Sequence, residues 1–139
     1  MKRIHVAAAV ICNDLEHKRA VFATQRGYGP QKGFWEFPGG KIEAGEGPRE
    51  ALVREIQEEL RTTVEAGGEI GTVEWDYPGF HLTMTCFWCR IVQGALTLTE
   101  AMDGRWLTAE NLRSVDWLPA DEAILDRIAG ALEPKEGEP

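Results

Sequence analysis

The stretch Gly40-Lys41-Ile42-Glu43-Ala44-Gly45-Glu46-Gly47-Pro48-Arg49-Glu50-Ala51-Leu52-Val53-Arg54-Glu55-Ile56-Gln57-Glu58-Glu59 decides the reading of this 139-residue chain. Phe37-Pro38-Gly39-Gly40 lies ahead of it, breaks any regular element and brings bare backbone close to whatever binds there. Gly47-Pro48 marks a helix start with proline at the first helical position, and a helix is predicted over about Pro48 to Leu60. Leu52, Val53, Ile56 and Leu60 recur at helical spacing and form its core-facing stripe. Glu55, Glu58 and Glu59 also fall at i, i+3 and i+4, on a different stripe. Carboxylates so placed repel one another by a few tenths of a kcal/mol per pair even when solvated. The pattern therefore calls for a positive partner, either Arg54, Arg61 or a metal ion. Glutamates alone would be an ordinary solvated helix face. A glycine turn, Glu46, the Arg54-Glu55 pair and the double glutamate in one register are not what composition alone produces.

Working outward, 139 residues make most simply one domain, expected over residues 1–132, with a polar tail over 133–139. No repeat, low-complexity tract or long apolar run is present, and the first residues lack a charged-then-apolar leader pattern. A soluble, cytoplasmic protein is expected, without membrane contact. With 23 acidic against 15 basic residues the net charge is −8, which argues against a general nucleic-acid or membrane-surface binder. A nucleotide remains an admissible ligand, because a bound cation and a few local basic groups override the overall field. The three cysteines are Cys12, Cys86 and Cys89. Cys86 and Cys89 lie three apart in the strand-like segment Leu82 to Val92, so their thiols face opposite ways, and no second pair completes a zinc site. They are expected to be structural.

Ile4 to Cys12 is a nearly unbroken apolar run suited to a strand buried on both faces, and Ala20 to Gln25 reads as a second strand. Gly27 to Gly33 is a loop by composition. After the helix, Ala66-Gly67-Gly68 marks a break, followed by strands over about Glu69 to Asp76 and His81 to Val92, joined by the turn Tyr77-Pro78-Gly79. Short strands are expected at Leu96 to Leu98 and Gly104 to Leu107, then a short helix capped by Thr108 and running to about Leu112. Asp121 is placed to cap a last helix whose stripe is Ile124, Leu125, Ile128 and Leu132. Strands mixed with two helices of some length give an α/β fold, an α/β/α sandwich with a mixed β-sheet.

The order Gly40, Glu46, Arg54, Glu55, Ile56, Glu58, Glu59 resembles the Nudix box. Trp35 to Glu43 and Leu118-Pro119-Ala120-Asp121 are further similar to MutT-type nucleoside triphosphate pyrophosphohydrolases, including their cytidine-nucleotide branch. The resemblance extends from about Ile4 to Ile128 and implies the same sandwich fold. It departs at Arg61-Thr62, where the family has a glycine and an aliphatic residue. Glycine there permits a left-handed cap, a conformation that costs a non-glycine residue roughly 1–2 kcal/mol. Arg61 can instead favour the helix carboxyl end through the dipole.

What the resemblance implies is a hydrolase that uses Mg²⁺, with Mn²⁺ as a substitute, to convert a nucleoside triphosphate to the monophosphate and pyrophosphate. Mg²⁺ prefers oxygen donors and keeps several waters. Glu55, Glu58 and Glu59 supply carboxylates, and the resemblance adds the Gly39 carbonyl and a late-loop carboxylate, here Glu100 with Asp103 as its neighbouring competitor. Which glutamate takes the proton is left open, since coupled carboxylates share their titration. Arg54 is expected to orient a box glutamate and Glu46 to support it from behind. Arg26, at the end of the second strand, resembles a phosphate-binding arginine. Asp121 aligns with the family's base-reading position. An ionised aspartate only accepts hydrogen bonds, which tilts the expectation toward cytidine-type substrates (dCTP, 5-methyl-dCTP, CTP), while a protonated one would read a guanine edge as in 8-oxo-dGTP. Glu36, beside Trp35 and Phe37 as stacking candidates, and His81 complete the substrate-binding set. An ADP-ribose or other nucleotide-diphosphate pyrophosphatase, and a non-catalytic nucleotide sensor, are the alternatives. The protein is expected as a monomer or homodimer.

Overall fold

The computed structural model describes residues 1–134; the expected tail therefore lies, from residue 135 on, outside the described residues. The chain order is β1 (Lys2–Ile11), β2 (Ala20–Gln25), β3 (Trp35–Glu36), β4 (Gly39–Lys41), α1 (Pro48–Leu60), β5 (Thr63–Tyr77), β6 (Phe80–Gln93), β7 (Asp103–Thr108), α2 (Pro119–Glu122) and α3 (Leu125–Ala131). A four-stranded sheet runs β4-β1-β6-β5 and a three-stranded sheet runs β3-β2-β7. The β1–β6 pairing is parallel and the rest are antiparallel, so the larger sheet is mixed. An isolated bridge between Cys12 and Val21 joins the two sheets.

Strand β1 explains the layering. Ala7, Ala9 and Ile11 point to one face and pack with Leu52, Ile56 and Leu60 of α1. Ala8, Val10 and Cys12 point to the other, toward Ile124, Leu125 and Ile128. The alternation of a strand thus covers both faces, and the alanines keep the layers close. The opposed directions of Cys86 and Cys89 follow the same rule: one thiol lies in each core layer, and all three cysteines are buried and free.

Helix α1 has the predicted limits. Pro48 opens it, and the Glu50 carboxylate accepts the Gly47 N–H at 3.1 Å. Its far end is unusual. Arg61 takes the left-handed conformation, φ 53° and ψ 38°, and its N–H donates to the Gln57 carbonyl at 3.1 Å. Thr62 is buried, its hydroxyl lying 2.9 Å from the carbonyls of both Leu60 and Ala95. The helix therefore ends where a glycine would end it, with arginine held in place by the packed segment that follows.

Four expectations are corrected. Ala66 to Gly68 does not break the chain; β5 runs through it with register shifts against β6, because a bulge absorbs the glycines. Leu96 to Leu98 is not a strand, since its backbone bonds to the end of α1 instead, Thr97 N–H donating to the Leu60 carbonyl at 2.9 Å. Thr108 starts a turn, not a helix, its N–H bonding Asn111 Oδ1 at 2.6 Å. Asp121 caps nothing: it lies inside the short α2, and the last helical segment is divided into α2 and α3.

Candidate active site

Strand β4 and helix α1 place the box side chains. At Gly39 an added Cβ would sit 2.1 Å from the Ala7 carbonyl oxygen, and at Gly40 a Cβ would sit 2.3 Å from the Glu55 carboxyl carbon. Only glycine lets β4 lie against β1 while the Glu55 carboxylate tucks against its backbone. The Gly39 N–H donates to Glu59 Oε2 at 3.3 Å, joining the glycine turn to the last box glutamate.

Arg54 answers the crowding on the helix. Its Nε and Nη2 donate to the two oxygens of Glu46 at 2.7 and 3.0 Å, Nη2 also reaches the Lys41 carbonyl at 3.1 Å, and Nη1 reaches Glu55 Oε1 at 2.9 Å and Glu58 Oε2 at 3.3 Å. The fork on Glu46 is bidentate, the geometry that suits guanidinium and carboxylate. Arg54 and the Glu43 N–H hold the Glu46 carboxyl below its usual range. The sequence left Arg54, Arg61 and a metal as partners for the glutamates; in this structure Arg54 takes that place.

Glu59 receives none of that relief. Burial, then the neighbouring charges of Glu36 and Glu55, push its carboxyl up to about 8, against the Gly39 N–H and Arg26, which pull it down. A carboxyl held on its proton by burial and like charge gains most from a nearby dication. Among the described residues no three His, Cys, Asp or Glu side chains are gathered at metal-holding distance. The donors are nonetheless all oxygen, on one helix stripe beside a glycine turn, and that donor chemistry fits a hard cation such as Mg²⁺. Glu100 is exposed, but its loop is docked at the end of the same helix: the Thr99 hydroxyl donates to the Glu59 carbonyl at 2.7 Å, and Gly27 packs so close to the Glu100 carbonyl that a Cβ would sit 2.5 Å away. Asp103 is engaged elsewhere, bonded to the Gly104 N–H at 2.8 Å and paired with Arg105 at 3.4 Å.

Beside the glycine turn opens a cleft of about 240 Å³. Val6, Ala8, Leu82 and Met84 are among its apolar lining, Phe37, Tyr77 and Phe80 give aromatic walls, and Arg26, Glu36, Lys41 and Asp121 are polar groups facing it. Arg26 and Glu36 form a fork of 2.9 and 2.7 Å, with Gln31 Oε1 also on Arg26 at 3.2 Å. Arg26 lines the cleft, where it is engaged by these protein acceptors and holds Glu36 in the wall.

Asp121 departs most from expectation. It is 4% exposed, its Oδ2 accepts the Phe37 N–H at 2.9 Å, and burial followed by the Glu36 charge pushes its carboxyl up to about 8. The shift favours the protonated form, which donates as well as accepts, whereas the cytidine tilt took the group as ionised. Trp35 and Phe37 are core residues, Phe37 against Trp117 with ring centres 4.6 Å apart, although Phe37 also touches the cleft. His81 is not in the cleft. Strand alternation sends Phe80 and Leu82 inward and His81 outward, where Asp76 Oδ1 at 2.6 Å and Glu74 Oε1 at 2.7 Å hold its ring. Tyr77 also lines the cleft, a role that Tyr-Pro-Gly, as a turn signal, does not reveal in the sequence.

A family model described as the NUDIX domain matches residues 2–136 of this chain. The chain is 31% identical over 129 residues to an 8-oxo-dGTP diphosphatase of Escherichia coli K12, spanning 92% of this chain and 98% of that protein. It is also 31% identical over 126 residues to a CTP pyrophosphohydrolase of the same organism, spanning 91% of each. Among solved structures, the solution structure of the E. coli ORF135 protein superposes with a TM-score of 0.79 at 28% identity, over 99% of this chain and 96% of that one. The crystal structure of a MutT NUDIX hydrolase from Burkholderia pseudomallei, 22% identical, gives 0.81 over 92% and 99%, a likeness of fold.

Proposed function

The chain belongs to the Nudix family, and from that premise we propose that it hydrolyses a nucleoside triphosphate to the monophosphate and pyrophosphate, with oxidised guanine nucleotides of the 8-oxo-dGTP type preferred. Water adds across the α–β phosphoanhydride: one of the two P–O bonds of the bridging oxygen breaks, a P–O bond to the water oxygen forms, and one water proton is released to a base. Mg²⁺, when bound, neutralises phosphate charge and acidifies water. Glu55, Glu58 and Glu59, with the Gly39 carbonyl and Glu100, are the groups that would hold it. Arg54, fixed on Glu46, keeps the Glu55 and Glu58 carboxylates in register. The proton acceptor is one of the box glutamates or Glu100.

The observation that carries the base preference is the Asp121–Glu36 pair in one cleft. Asp121, protonated by burial, offers an O–H, and Glu36, held by the Arg26 fork, offers an acceptor. The 8-oxoguanine edge presents the O6 acceptor beside an N7–H donor, which matches that pair. Ordinary guanine presents two acceptors, O6 and N7, and one of them would face a carboxylate. Unpaired buried polar groups are the strongest source of discrimination between similar substrates. Cytosine, with a donor amine beside an acceptor nitrogen, also alternates, and the likeness to a CTP pyrophosphohydrolase supports it as a second reading.

The test is kcat/KM with Mg²⁺ for 8-oxo-dGTP, dGTP, dCTP and CTP. The proposal expects 8-oxo-dGTP to exceed dGTP by at least about 100-fold, the discrimination of one donor–acceptor mismatch or more. Higher kcat/KM for dCTP or CTP than for 8-oxo-dGTP moves the assignment to the second reading. Equal values for 8-oxo-dGTP and dGTP defeat the account of Asp121 and Glu36.

A further inference from the structure

The cleft wall holds a further polar group, and we infer that the Tyr77 hydroxyl is a specificity-determining donor to the base keto oxygen that Asp121 addresses. The inference rests on the reading of this cleft as the base site.

Tyr77 is the last residue of β5, just before Pro78-Gly79, and is half-buried. Its ring stacks on Phe80, centres 5.3 Å apart and planes 24° from parallel, and both rings line the cleft. Its hydroxyl oxygen accepts the Ala120 N–H at 3.1 Å. That contact ties the β5–β6 turn to α2 and fixes the oxygen beside the backbone that carries Asp121. A phenol has one hydrogen to give as well as lone pairs to receive. Among the described residues no protein group accepts the Tyr77 hydrogen. A donor positioned by a backbone bond, in an aromatic wall and with its hydrogen uncommitted, is the arrangement expected of a group that meets a ligand acceptor. Burial raises the phenol against the pull of the Ala120 N–H, so the donor persists through the neutral range. A keto oxygen has two lone pairs, and Asp121 and Tyr77, attached to neighbouring backbone, supply two donors. Glu36 supplies the acceptor for the adjoining N–H.

The test is Tyr77→Phe, which keeps the ring and its stack on Phe80; a melting curve checks that the fold is retained. Steady-state kinetics are run on wild type and variant with two substrates: 8-oxo-dGTP, and the same nucleotide carrying hydrogen in place of O6. The expected result is a loss of about tenfold in kcat/KM on 8-oxo-dGTP, through KM with kcat kept, as for one neutral hydrogen bond. On the analogue, wild type and Tyr77→Phe agree within about twofold, the scatter allowed to a change that touches no shared partner. Equal losses on both substrates would show that Tyr77 only anchors Ala120, and no loss on either that its hydroxyl faces water; either result overturns the inference. Wild type inert toward 8-oxo-dGTP would instead remove the reading of the base site on which it rests.

Discussion

Two carboxyls of this protein, Glu59 and Asp121, are each pushed up to about 8 with burial as the main cause, yet they serve different ends. Glu59 sits with other carboxylates where a cation would restore its charge, whereas Asp121 sits in a cleft that rewards its proton. For Asp121 the linkage has a definite sign. Its ordinary value is 3.8 and its folded value about 8, so the stabilisation is full below pH 3.8 and is lost as pH rises through about 8. Asp121→Asn cannot ionise. In metal-free protein its melting temperature should therefore fall less between pH 6 and pH 9 than that of wild type, with Glu59 and the raised His81 among the groups that supply the slope that remains. Identical slopes would mean that Asp121 is not the buried acid described. For Glu58, exposed and hydrogen-bonded among the described residues by Arg54, Glu58→Gln should leave circular dichroism and melting unchanged and lower kcat by roughly 100-fold or more, as loss of a metal-side carboxylate does. Wild-type turnover in that variant would remove Glu58 from the metal-binding set.

At the scale of the element, α1 and the strands beside it were legible because their signals are local. Proline and glycine mark the start of α1, its apolar stripe marks the buried face, and Ile4 to Cys12 alternates between two covered faces as β1. What the sequence hid depends on distant partners. Asp121 looked like a helix cap because capping is the commonest use of such a residue; its burial against the Phe37 N–H arises 84 positions away in sequence. His81 looked site-facing until the β5–β6 register turned it outward onto Asp76 and Glu74. Arg26 could not be seen to be engaged by Glu36 before β2 and β3 were paired. The box glutamates, by contrast, were legible with their spacing, since helix geometry alone puts them on one stripe. Arg61→Gly relieves the non-glycine cost at φ 53°, and should raise stability by about 1 kcal/mol in chemical denaturation, while the larger unfolded-state freedom of glycine offsets part of the gain. A loss of stability would mean that Arg61 makes compensating contacts in the native state.

Across the described residues, two sheets and three helices bring separate stretches of chain to one opening. The glycine turn lines it and borders the α1 carboxylates, β2–β3 provides Arg26 and Glu36, and the β5–β6 turn with α2 provides the aromatic and acidic end of the cleft. Gly39 and Gly40 line the cleft and also meet Glu59 and Glu55 of α1, so under the proposed function a nucleotide seated by its base in the cleft would extend its phosphates toward α1. The net charge of −8 would repel a free polyphosphate, and a divalent cation is what reverses that field locally. No helix among the described residues is long and apolar enough to cross a membrane. The most direct test is to resolve the products of 8-oxo-dGTP hydrolysis in the presence of Mg²⁺ and after its removal by chelation. The account predicts 8-oxo-dGMP and pyrophosphate in equal amounts, with turnover abolished by the chelator and restored by added Mg²⁺. Release of orthophosphate with the diphosphate nucleotide, or turnover unaffected by chelation, would contradict it.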